Sequence, residues 1–452
     1  MRDPGGGYGR AMTGAATSMP LPPGPSAGPV AQTVALHRDP LGTLRRAQAR
    51  HGDVFTIRLL TARPIVVVAA PEEIGPLLHA DPGAARAGDA RRQIVPFASP
   101  RSVFGGDGER HRAARGAVAG LFAPDEVDRR RAAMEAIGAE HAARWPRGRP
   151  FRLLPRMRTL VDDVFVRLVL GVPDDARARA VTAALRRMLW TPGNPPVSLP
   201  GEGDGLLGVV ATAAFERRQA PLARLLAAEI DERRRGAGGG VGARTGDVIA
   251  AMVRAEPDAP TDAIVEEVIA LLLAAQEPPA AALTWLLDRI TRVPDLAERF
   301  REPLATGGER DPMRDAVVRE TLRLRPAAIA ALRRLTEPRH VAGHRLPAGV
   351  VTMMPTPLLH RDPRAFPEPD AFRPERWASG DAGHAAFMPF GGGSRRCLGE
   401  TLANAYIDCL IPAILGAVAL RPLWPEPERM VLRGTILVPH RSTPVVARPA
   451  RG

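Results

Sequence analysis

The chain has 452 residues, of which 45% are hydrophobic and 25% are charged, enough to bury a large globular core. Disordered, collagen-like and coiled-coil proteins are excluded, and no stretch approaches the 18 uninterrupted apolar residues of a membrane span, so we expect no membrane anchor. The formal net charge is +13, and because the sequence contains no lysine, all 62 basic residues are arginines. They are scattered and aromatic residues are only 4%, which argues against nucleic-acid binding and leaves a basic face for an acidic protein partner open.

The N-terminal 30 residues are rich in glycine and proline and predict a mobile tail, followed by a single domain over residues 31–450. Met19 is an alternative start. The N-terminus lacks the charged-then-apolar layout of a signal peptide, and the two cysteines, Cys397 and Cys409, cannot form a disulfide framework. We therefore expect a reduced, cytoplasmic protein.

The spacing of apolar residues predicts a mainly α fold with a small β part. The predicted strands are 54–60, 64–69 and several short ones within 330–352. The predicted helices are 36–50, 109–122, 124–145, 155–170, 174–190, 215–235, 261–292 (with Thr261 as N-cap) and 311–325, and a last helix begins near Cys397. The predicted loops are 81–108, 191–205, 236–243 and 355–396.

The most specific pattern is the run FGGGSRRCLG over residues 390–399. Its glycines let the backbone turn tightly and approach a flat ligand closely. Cys397 stands at a predicted helix start, where free N–H groups and the helix dipole favour a thiolate. Arg395 can pair with an anion, and Phe390 supplies an apolar plate that would shield the sulfur.

This run resembles the haem-binding loop of cytochromes P450, F-x-x-G-x-R-x-C-x-G, at every defined position. The matching residues are Phe390, Gly393, Arg395, Cys397 and Gly399. The resemblance extends over essentially residues 30–450 and implies the cytochrome P450 fold, with haem b bound through the Cys397 thiolate. Such a ligand pushes electron density toward dioxygen and favours O–O cleavage. Cys409 is then an ordinary buried cysteine.

Two further segments resemble the same family. Glu320 and Arg323 match the E-x-x-R pair of its K helix, and residues 372–377 (FRPERW) resemble its F-x-P-E-R-W segment. The resemblance implies that Glu320, Arg323 and Arg376 form a buried ionic triad. Taken alone, an E-x-x-R pair is often only a solvated bridge on one helix face.

Four basic side chains are candidates for binding the two haem propionates. His111 and Arg115, four residues apart, resemble a position of the family's C helix, and Arg333 resembles another propionate arginine. Arg395 completes the set, because a planar guanidinium binds carboxylates with two hydrogen bonds. Arg334 could replace Arg333, and any of these arginines could instead be an ordinary surface charge.

The chain departs from the family pattern in the long helix, where residues 274–279 read AAQEPP. Cytochromes P450 usually place an acid and then a threonine here. Ala274 keeps the surface flat, Glu277 keeps the acid, and Pro278 replaces the threonine. We predict that the prolines build a kink and that protons come from Glu277 through water or from a substrate hydroxyl. The alternative is that the helix breaks and Glu277 points to solvent.

The resemblance implies a monooxygenase that takes two electrons from a separate ferredoxin- or flavodoxin-type donor. Mainly apolar segments (89–104, 190–208, 273–278, 327–332 and 434–438) are expected to line its pocket. They favour a lipophilic terpenoid, polyketide or steroid-like substrate, free or carrier-bound, in specialised metabolism. Two alternatives stay open: a non-hydroxylating oxidation such as ring closure, desaturation or rearrangement, and a haem-binding protein whose oxygen activation is impaired by Pro278.

Overall fold

Helices dominate the computed structural model, which describes residues 19–60, 63–95, 99–172, 174–189, 206–236, 246–302, 311–378 and 386–450. The helices are α1 (Pro29–Arg38), α2 (Pro40–His51), α3 (Pro71–Leu78), α4 (Ala87–Arg92), α5 (Gly108–Ala119), α6 (Pro124–Asp128), α7 (Arg131–Ala143), α8 (Leu153–Val164), α9 (Asp175–Leu189), α10 (Leu206–Gly236), α11 (Val248–Ala255), α12 (Thr261–Arg292), α13 (Pro294–Arg299), α14 (Pro312–Leu324), α15 (Thr356–Leu359) and α16 (Glu400–Ala417). The predicted mainly α fold is confirmed.

The strands of the described residues form four small sheets. They are β1 (Val54–Ile57), β2 (Ile65–Val68), β3 (Ala85–Arg86), β4 (Pro150–Arg152), β5 (Ala330–Leu335), β6 (Arg339–Val341), β7 (His344–Leu346), β8 (Val351–Pro355), β9 (Val418–Pro422), β10 (Met430–Arg433), β11 (Ile436–Pro439) and β12 (Pro444–Pro449). The largest sheet has the order β1-β2-β8-β5-β3, in which only β2 and β8 run parallel. The others are β4-β12-β9, β10-β11 and β6-β7, all antiparallel.

The core is organised around α12, the longest helix among the described residues, which packs against α8, α10, α16 and the β10–β11 hairpin. Its length and composition would allow it to cross a membrane, but 67% of its apolar window is buried inside the fold. An apolar surface covered by other helices is what a core helix requires. The apolar run 261–292 is therefore a core element of this domain.

The helix α12 continues without interruption through Pro278 and Pro279, so the predicted alternative of a broken helix is wrong. Neither proline has an N–H to donate, which leaves the carbonyls of Ala274 and Ala275 without their partners four residues on. Packing on both sides compensates for this loss, because the flanking turns are buried. The Thr261 cap is also wrong: Pro260 occupies the cap position, and the Thr261 hydroxyl donates to Asp231.

Several other boundaries differ from the sequence prediction. The helix predicted at 36–50 is two helices that meet at Asp39, whose carboxylate accepts the Gly42 N–H at 3.0 Å and so caps α2. The loop predicted at 81–108 contains β3 and α4, and the strands β9 to β12 were not predicted. The loop 191–205 and most of the turn 236–243 lie outside the described residues.

The chain just before α1 lies against the first strand. The Thr56 N–H donates to the Pro23 carbonyl at 3.0 Å, and the Thr56 hydroxyl donates to the Pro22 carbonyl at 2.6 Å. The mobile-tail prediction is therefore wrong for these residues. The single domain over residues 31–450 stays a prediction.

Candidate active site

The cysteine loop is shaped by glycines between two short hydrogen-bonded turns. Gly391 and Gly393 have φ of 67° and 64°, which side-chain-bearing residues rarely adopt. A Cβ at Gly393 would also lie 2.2 Å from the Leu78 carbonyl oxygen, so only glycine fits there. The loop closes where the Cys397 N–H donates to the Phe390 carbonyl at 2.9 Å. This closure presents the Cys397 side chain on an accessible face.

The helix α16 begins at Glu400, three residues after Cys397. Desolvation by the surrounding protein atoms raises the pKa of the Cys397 thiol, and a hydrogen bond from the Gly399 backbone opposes this shift. The Gly399 contribution acts in the direction predicted for a helix start, and the thiolate state of Cys397 stays a prediction. A bound metal ion deprotonates a coordinating thiol directly.

Two of the predicted basic residues are buried beside this loop. Arg395 lies 2.5 Å from Asp107 Oδ1 and donates to the Gly106 carbonyl at 2.6 Å. Within the described part of the chain, Arg333 donates to backbone carbonyls, including that of Leu78 at 3.0 Å. Arg334 lies instead against Gln93 and the Gly349 carbonyl, so the register places Arg333 at the loop.

His111 and Arg115 approach the same loop from α5. His111 Nδ1 is 2.8 Å from the Val103 carbonyl oxygen and 3.0 Å from Arg395 Nη1, and Nε2 is 3.4 Å from the Ser394 carbonyl oxygen. Burial and the charge of Arg395 lower the pKa of His111, so the ring is neutral at pH 7. Arg115 is half-buried and close enough to Arg395 and Cys397 to lower the pKa of both.

A further arginine at this site was missed by the sequence analysis. Arg91 on α4 donates to the Phe104 carbonyl and stacks on the Phe104 ring at 4.4 Å. Burial, together with the charges of Arg395 and Arg333, lowers the pKa of Arg91 to about 9. In a chain with 62 basic residues, no local signal distinguishes Arg91 from its neighbours.

The predicted triad is confirmed as a network around Glu320, whose carboxylate is fully buried. Arg323 donates to both its oxygens at 2.8 Å, and Arg376 Nε lies 3.2 Å from Oε1. The Arg373 N–H and the Trp377 indole N–H complete the shell at 2.8 and 3.0 Å. These donors hold the pKa of Glu320 below its ordinary value although burial opposes them.

The acid of the AAQEPP segment has a partner that the sequence did not indicate. Arg158 on α8 is buried and donates to Glu277 through Nε at 3.1 Å and Nη2 at 2.6 Å. Burial lowers the pKa of Arg158, and the Glu277 carboxylate opposes that shift. Glu277 is thus held toward α8 and does not point freely to solvent.

Comparison with known proteins identifies the family of this chain. The family description "Cytochrome P450" matches residues 214–442. The chain is 33% identical over 443 residues to cytochrome P450 135B1 of Mycobacterium tuberculosis, covering 96% of this chain and 93% of that protein. It is 30% identical to cytochrome P450 135A1 of the same organism, covering 95% and 96%.

The chain belongs to the cytochrome P450 family. Its fold is similar to the retinoic acid-bound cyanobacterial CYP120A1, with a TM-score of 0.79 at 22% identity, covering 96% of this chain and 100% of that one. It is also similar to a six-coordinated cytochrome P450 from Thermus thermophilus, with a TM-score of 0.68 at 25% identity, covering 91% and 98%. This cytochrome P450 is an oxidoreductase of the monooxygenase class, and membership implies haem held by a cysteine thiolate.

The residues of this cytochrome P450 fit such a group. Among the described residues, Asp107 is the carboxylate that offsets the charges of Arg91, Arg333 and Arg395, and the charge of Arg395 lowers the pKa of the other two. Like charges gathered this closely favour an additional anionic ligand, and haem carries two carboxylates. The donor set therefore suits haem on the face where Cys397 is accessible.

The middle of α12 is open on one side. Ala274, Ala275, Glu277 and Pro278 are partly exposed, although the helix is buried before and after them. Small residues at this point leave room for a flat ligand and a small molecule next to the core helix.

Two predicted pocket segments are brought together by backbone pairing. The Ile329 N–H donates to the Thr435 carbonyl at 3.1 Å, and the Leu437 N–H donates to the Ala327 carbonyl at 2.7 Å. The described pocket candidates with core contacts are Ile94, Val103, Leu273, Ile329 and Ile436. Phe97 and Leu199 lie outside the described residues, as do the side chains of Leu206 and Leu207.

Proposed function

We propose that this cytochrome P450 binds haem b through Cys397 and oxidises a lipophilic small molecule. The observation that carries the proposal is the accessible Cys397 on a glycine-shaped loop that is flanked by buried, mutually repelling arginines. When bound, haem with a thiolate ligand activates dioxygen, so that one oxygen atom enters an organic substrate and the other leaves as water.

The residues around the loop have different roles in binding the cofactor. Phe390 and the glycines Gly393 and Gly399 shape the loop, and the Gly399 N–H donates to the sulfur. The groups that would hold the propionates are His111, Arg115, Arg333 and Arg395, to which we add Arg91. Asp107 fixes the orientation of Arg395 through a 2.5 Å ion pair.

The substrate we propose is a terpenoid, polyketide or steroid-like compound, free or bound to a carrier. The apolar contacts of Leu273, Ile329 and Ile436, and the uncharged pairing of 327–329 with 435–437, support a ligand of low polarity. A role in specialised metabolism belongs to the same proposal.

The electron donor we propose is a ferredoxin- or flavodoxin-type protein in the cytoplasm. Arg112 follows His111 on α5, Arg396 precedes Cys397, and both are exposed. Basic groups on this face suit an acidic redox protein, because charge complementarity accelerates encounter.

The proposal is tested by titrating the purified ferric protein with lipophilic compounds while the Soret band is followed. Retinoic acid, which the cyanobacterial CYP120A1 binds, is one suitable member of a panel with terpenoids, steroids, polyketides and fatty acids. We expect a shift that marks displacement of water, followed by substrate-dependent consumption of dioxygen. A flat response across the panel would contradict the proposed substrate class.

The identity of the ligand cysteine is tested separately with carbon monoxide. We expect the reduced protein to show the red-shifted band of haem-thiolate, and Cys397→Ser to lose it. Cys409→Ser is the matched control, because Cys409 is buried in α16 and lies near Arg131 rather than at the loop. Retention of the band by Cys397→Ser would overturn the assignment.

A second candidate function rests on Pro278, which has neither a hydroxyl nor an N–H to donate. This favours oxidations with a lighter demand for protons, such as ring closure, desaturation or rearrangement. A further candidate is a haem protein whose oxygen activation is impaired. Analysis of the products formed from the compound found by titration distinguishes hydroxylation, a non-hydroxylating oxidation and the absence of oxidation.

A further inference from the structure

A buried polar cluster lies between α8, α9 and α12, apart from the cysteine loop. Its centre is Asp162 on α8, which is 2% exposed. The Gln276 side-chain amide donates to Asp162 Oδ2 at 3.1 Å, and Arg186 Nε of α9 lies 3.5 Å from the same oxygen. Tyr406 on α16 is buried close enough to interact electrostatically with Asp162.

Several polar atoms of this cluster have no hydrogen-bond partner among the residues that the structure describes. They are Asp162 Oδ1, Gln276 Oε1, Arg186 Nη2 and the Tyr406 hydroxyl. An unpaired buried polar group is costly, and proteins normally satisfy such groups with ordered water. Four of them in one place have the donors and acceptors that a short chain of waters needs.

The electrostatic surroundings suit proton exchange near neutral pH. Burial raises the pKa of Asp162 to about 7, although Gln276 and Arg186 oppose the shift. The Glu277 carboxylate acts in the same direction as burial. The other ionisable groups facing the cluster are Arg158 on α8, Tyr406, whose pKa burial raises strongly, and Arg130, which acts on Tyr406.

The cluster lies between a partly exposed arginine and the turn of α12 that contains Pro278. At the outer end, the Arg186 side chain is 37% exposed, whereas Asp162 beside it is buried. At the inner end, Gln276 directly precedes Glu277 and Pro278. Because Pro278 cannot donate a proton and Glu277 is paired with Arg158, this turn of α12 needs another source.

We propose that Asp162 is a proton-relay residue that carries protons from solvent beside Arg186 to the Gln276–Glu277 turn of α12. The inference rests on the proposed oxidation, in which dioxygen, two electrons from the redox partner and two protons convert a substrate to its oxygenated product and water. In each passage the Asp162 carboxyl gives its proton to ordered water next to Gln276 and regains one from the solvent side. The residue ends as it began, and the protons leave as part of the water formed.

The first measurement asks whether Asp162 holds an exchangeable proton. The haem-loaded protein is titrated in an infrared cell, and the carbonyl band of a protonated carboxylic acid is followed. We expect a component of this band that disappears on titration around neutral pH and is missing in Asp162→Asn, whereas the component from Glu267, whose pKa burial also raises to about 7, stays. The matched control is Asp163→Asn, because Asp163 accepts from His141 and Arg167 and is not part of the cluster.

The second measurement asks whether that proton is used. A ferredoxin and its reductase drive dioxygen reduction by the haem-loaded protein without substrate, and the electrons ending in hydrogen peroxide are compared with those ending in water. We expect Asp162→Asn to raise the peroxide share several-fold and to change the ratio of rates in H2O and D2O. Asp163→Asn should match the unmodified protein, and Asp162→Glu should restore most of its behaviour.

Gln276→Met provides an independent variant, because it removes the hydrogen bond between α12 and Asp162 and leaves the Asp162 carboxyl in place. We expect it to raise the peroxide share while the infrared band stays. Normal reductant consumption with an unchanged peroxide share in both Asp162→Asn and Gln276→Met overturns the relay alone. An unmodified protein that consumes no reductant overturns the proposed function and the relay with it.

Discussion

The carboxylate of Glu277 lies 2.6 Å from Nη2 of Arg158, which ties the proline-containing turn of α12 to α8. The Arg158 side chain is 5% exposed and that of Glu277 is 23% exposed, so the pair sits at the inner edge of the open space beside α12. An acid held in this way is oriented by its partner. Its role in proton delivery stays a prediction.

Removal of Arg158 tests this pair. We expect Arg158→Ala to lower the free energy of unfolding by roughly 3 kcal/mol, the low end for breaking a buried ion pair, because Glu277 keeps some contact with solvent. Urea unfolding of the haem-loaded protein measures the change. Arg156→Ala is the control, since Arg156 is an exposed arginine on the same helix and should cost under about 1 kcal/mol. Equal losses in the two variants would contradict the buried-pair interpretation.

The Glu320 network should be indispensable for stable haem loading. Glu320→Ala leaves Arg323 fully buried without its carboxylate, a loss typically of about 3–5 kcal/mol. We expect haem-free or insoluble protein, measured by the ratio of haem to protein after purification. Glu375→Ala, at an exposed position next to Arg376, should load normally. A fully loaded Glu320→Ala protein would show that the network does not support the haem side.

Glu267 on α12 binds the backbone of the segment 89–104, which is predicted to line the substrate pocket. Its two carboxylate oxygens accept the Val103 N–H at 2.8 and 2.9 Å, while the Val103 carbonyl oxygen contacts His111. We expect Glu267→Ala to accelerate hydrogen exchange of residues 99–106, because the backbone then loses a buried acceptor. Glu266→Ala is the matched control: Glu266 is exposed and accepts the Ser99 hydroxyl instead. Unchanged exchange in Glu267→Ala would argue against this attachment.

Asp162 predicts a specific pH dependence of stability. Its pKa is raised from 3.8 to about 7 in the fold, so the folded state binds the proton more tightly than the unfolded state does. The stabilisation of the folded state by this proton is fully present below pH 4 and is lost as the pH rises toward 7 and above. One pKa unit corresponds to about 1.4 kcal/mol. The free energy of unfolding of the unmodified protein should therefore fall by on the order of 4 kcal/mol relative to that of Asp162→Asn across this pH range.

Urea unfolding between pH 4 and 8 measures that difference. Burial also raises the pKa of Glu267 to about 7, but Glu267 is present in both proteins and cancels. Parallel curves for the two proteins would mean that Asp162 titrates at its ordinary value. That result would remove one support of the relay.

Pro278→Thr restores both a hydroxyl and an N–H in α12. We expect the share of electrons lost to hydrogen peroxide to fall, because a donor returns to the open face of the helix. The free energy of unfolding should also rise, by at most about 3 kcal/mol, the usual cost of proline in a helix interior. Pro279→Thr controls for the gain in helix stability. A peroxide share that stays the same would mean that another donor already suffices.

Most helices and the central strands could be predicted from the sequence because their signals are local. Apolar spacing located the strands at 54–57 and 65–68 to within three residues and fixed both ends of α12. Interruptions within a helical pattern were harder to predict. Asp39 divides one such pattern into two helices because its carboxylate caps the second helix. The strand β12 was missed because its partners, β4 and β9, are not its neighbours in sequence, whereas β10 and β11 form a local hairpin that the sequence analysis overlooked.

The sequence by itself determined the family resemblance and the cysteine loop, since both lie in contiguous residues with a fixed spacing. It also indicated a tight glycine turn before Cys397, whereas the positive φ of Gly393 and its close approach to the Leu78 carbonyl were visible only in the structure. Only the tertiary structure decided that Glu277 pairs with Arg158, that Arg91 joins the cluster at the loop, and that Asp162 meets Gln276. Those contacts join helices more than 100 residues apart or depend on which arginines become buried, and burial is a property of packing that a local pattern does not contain.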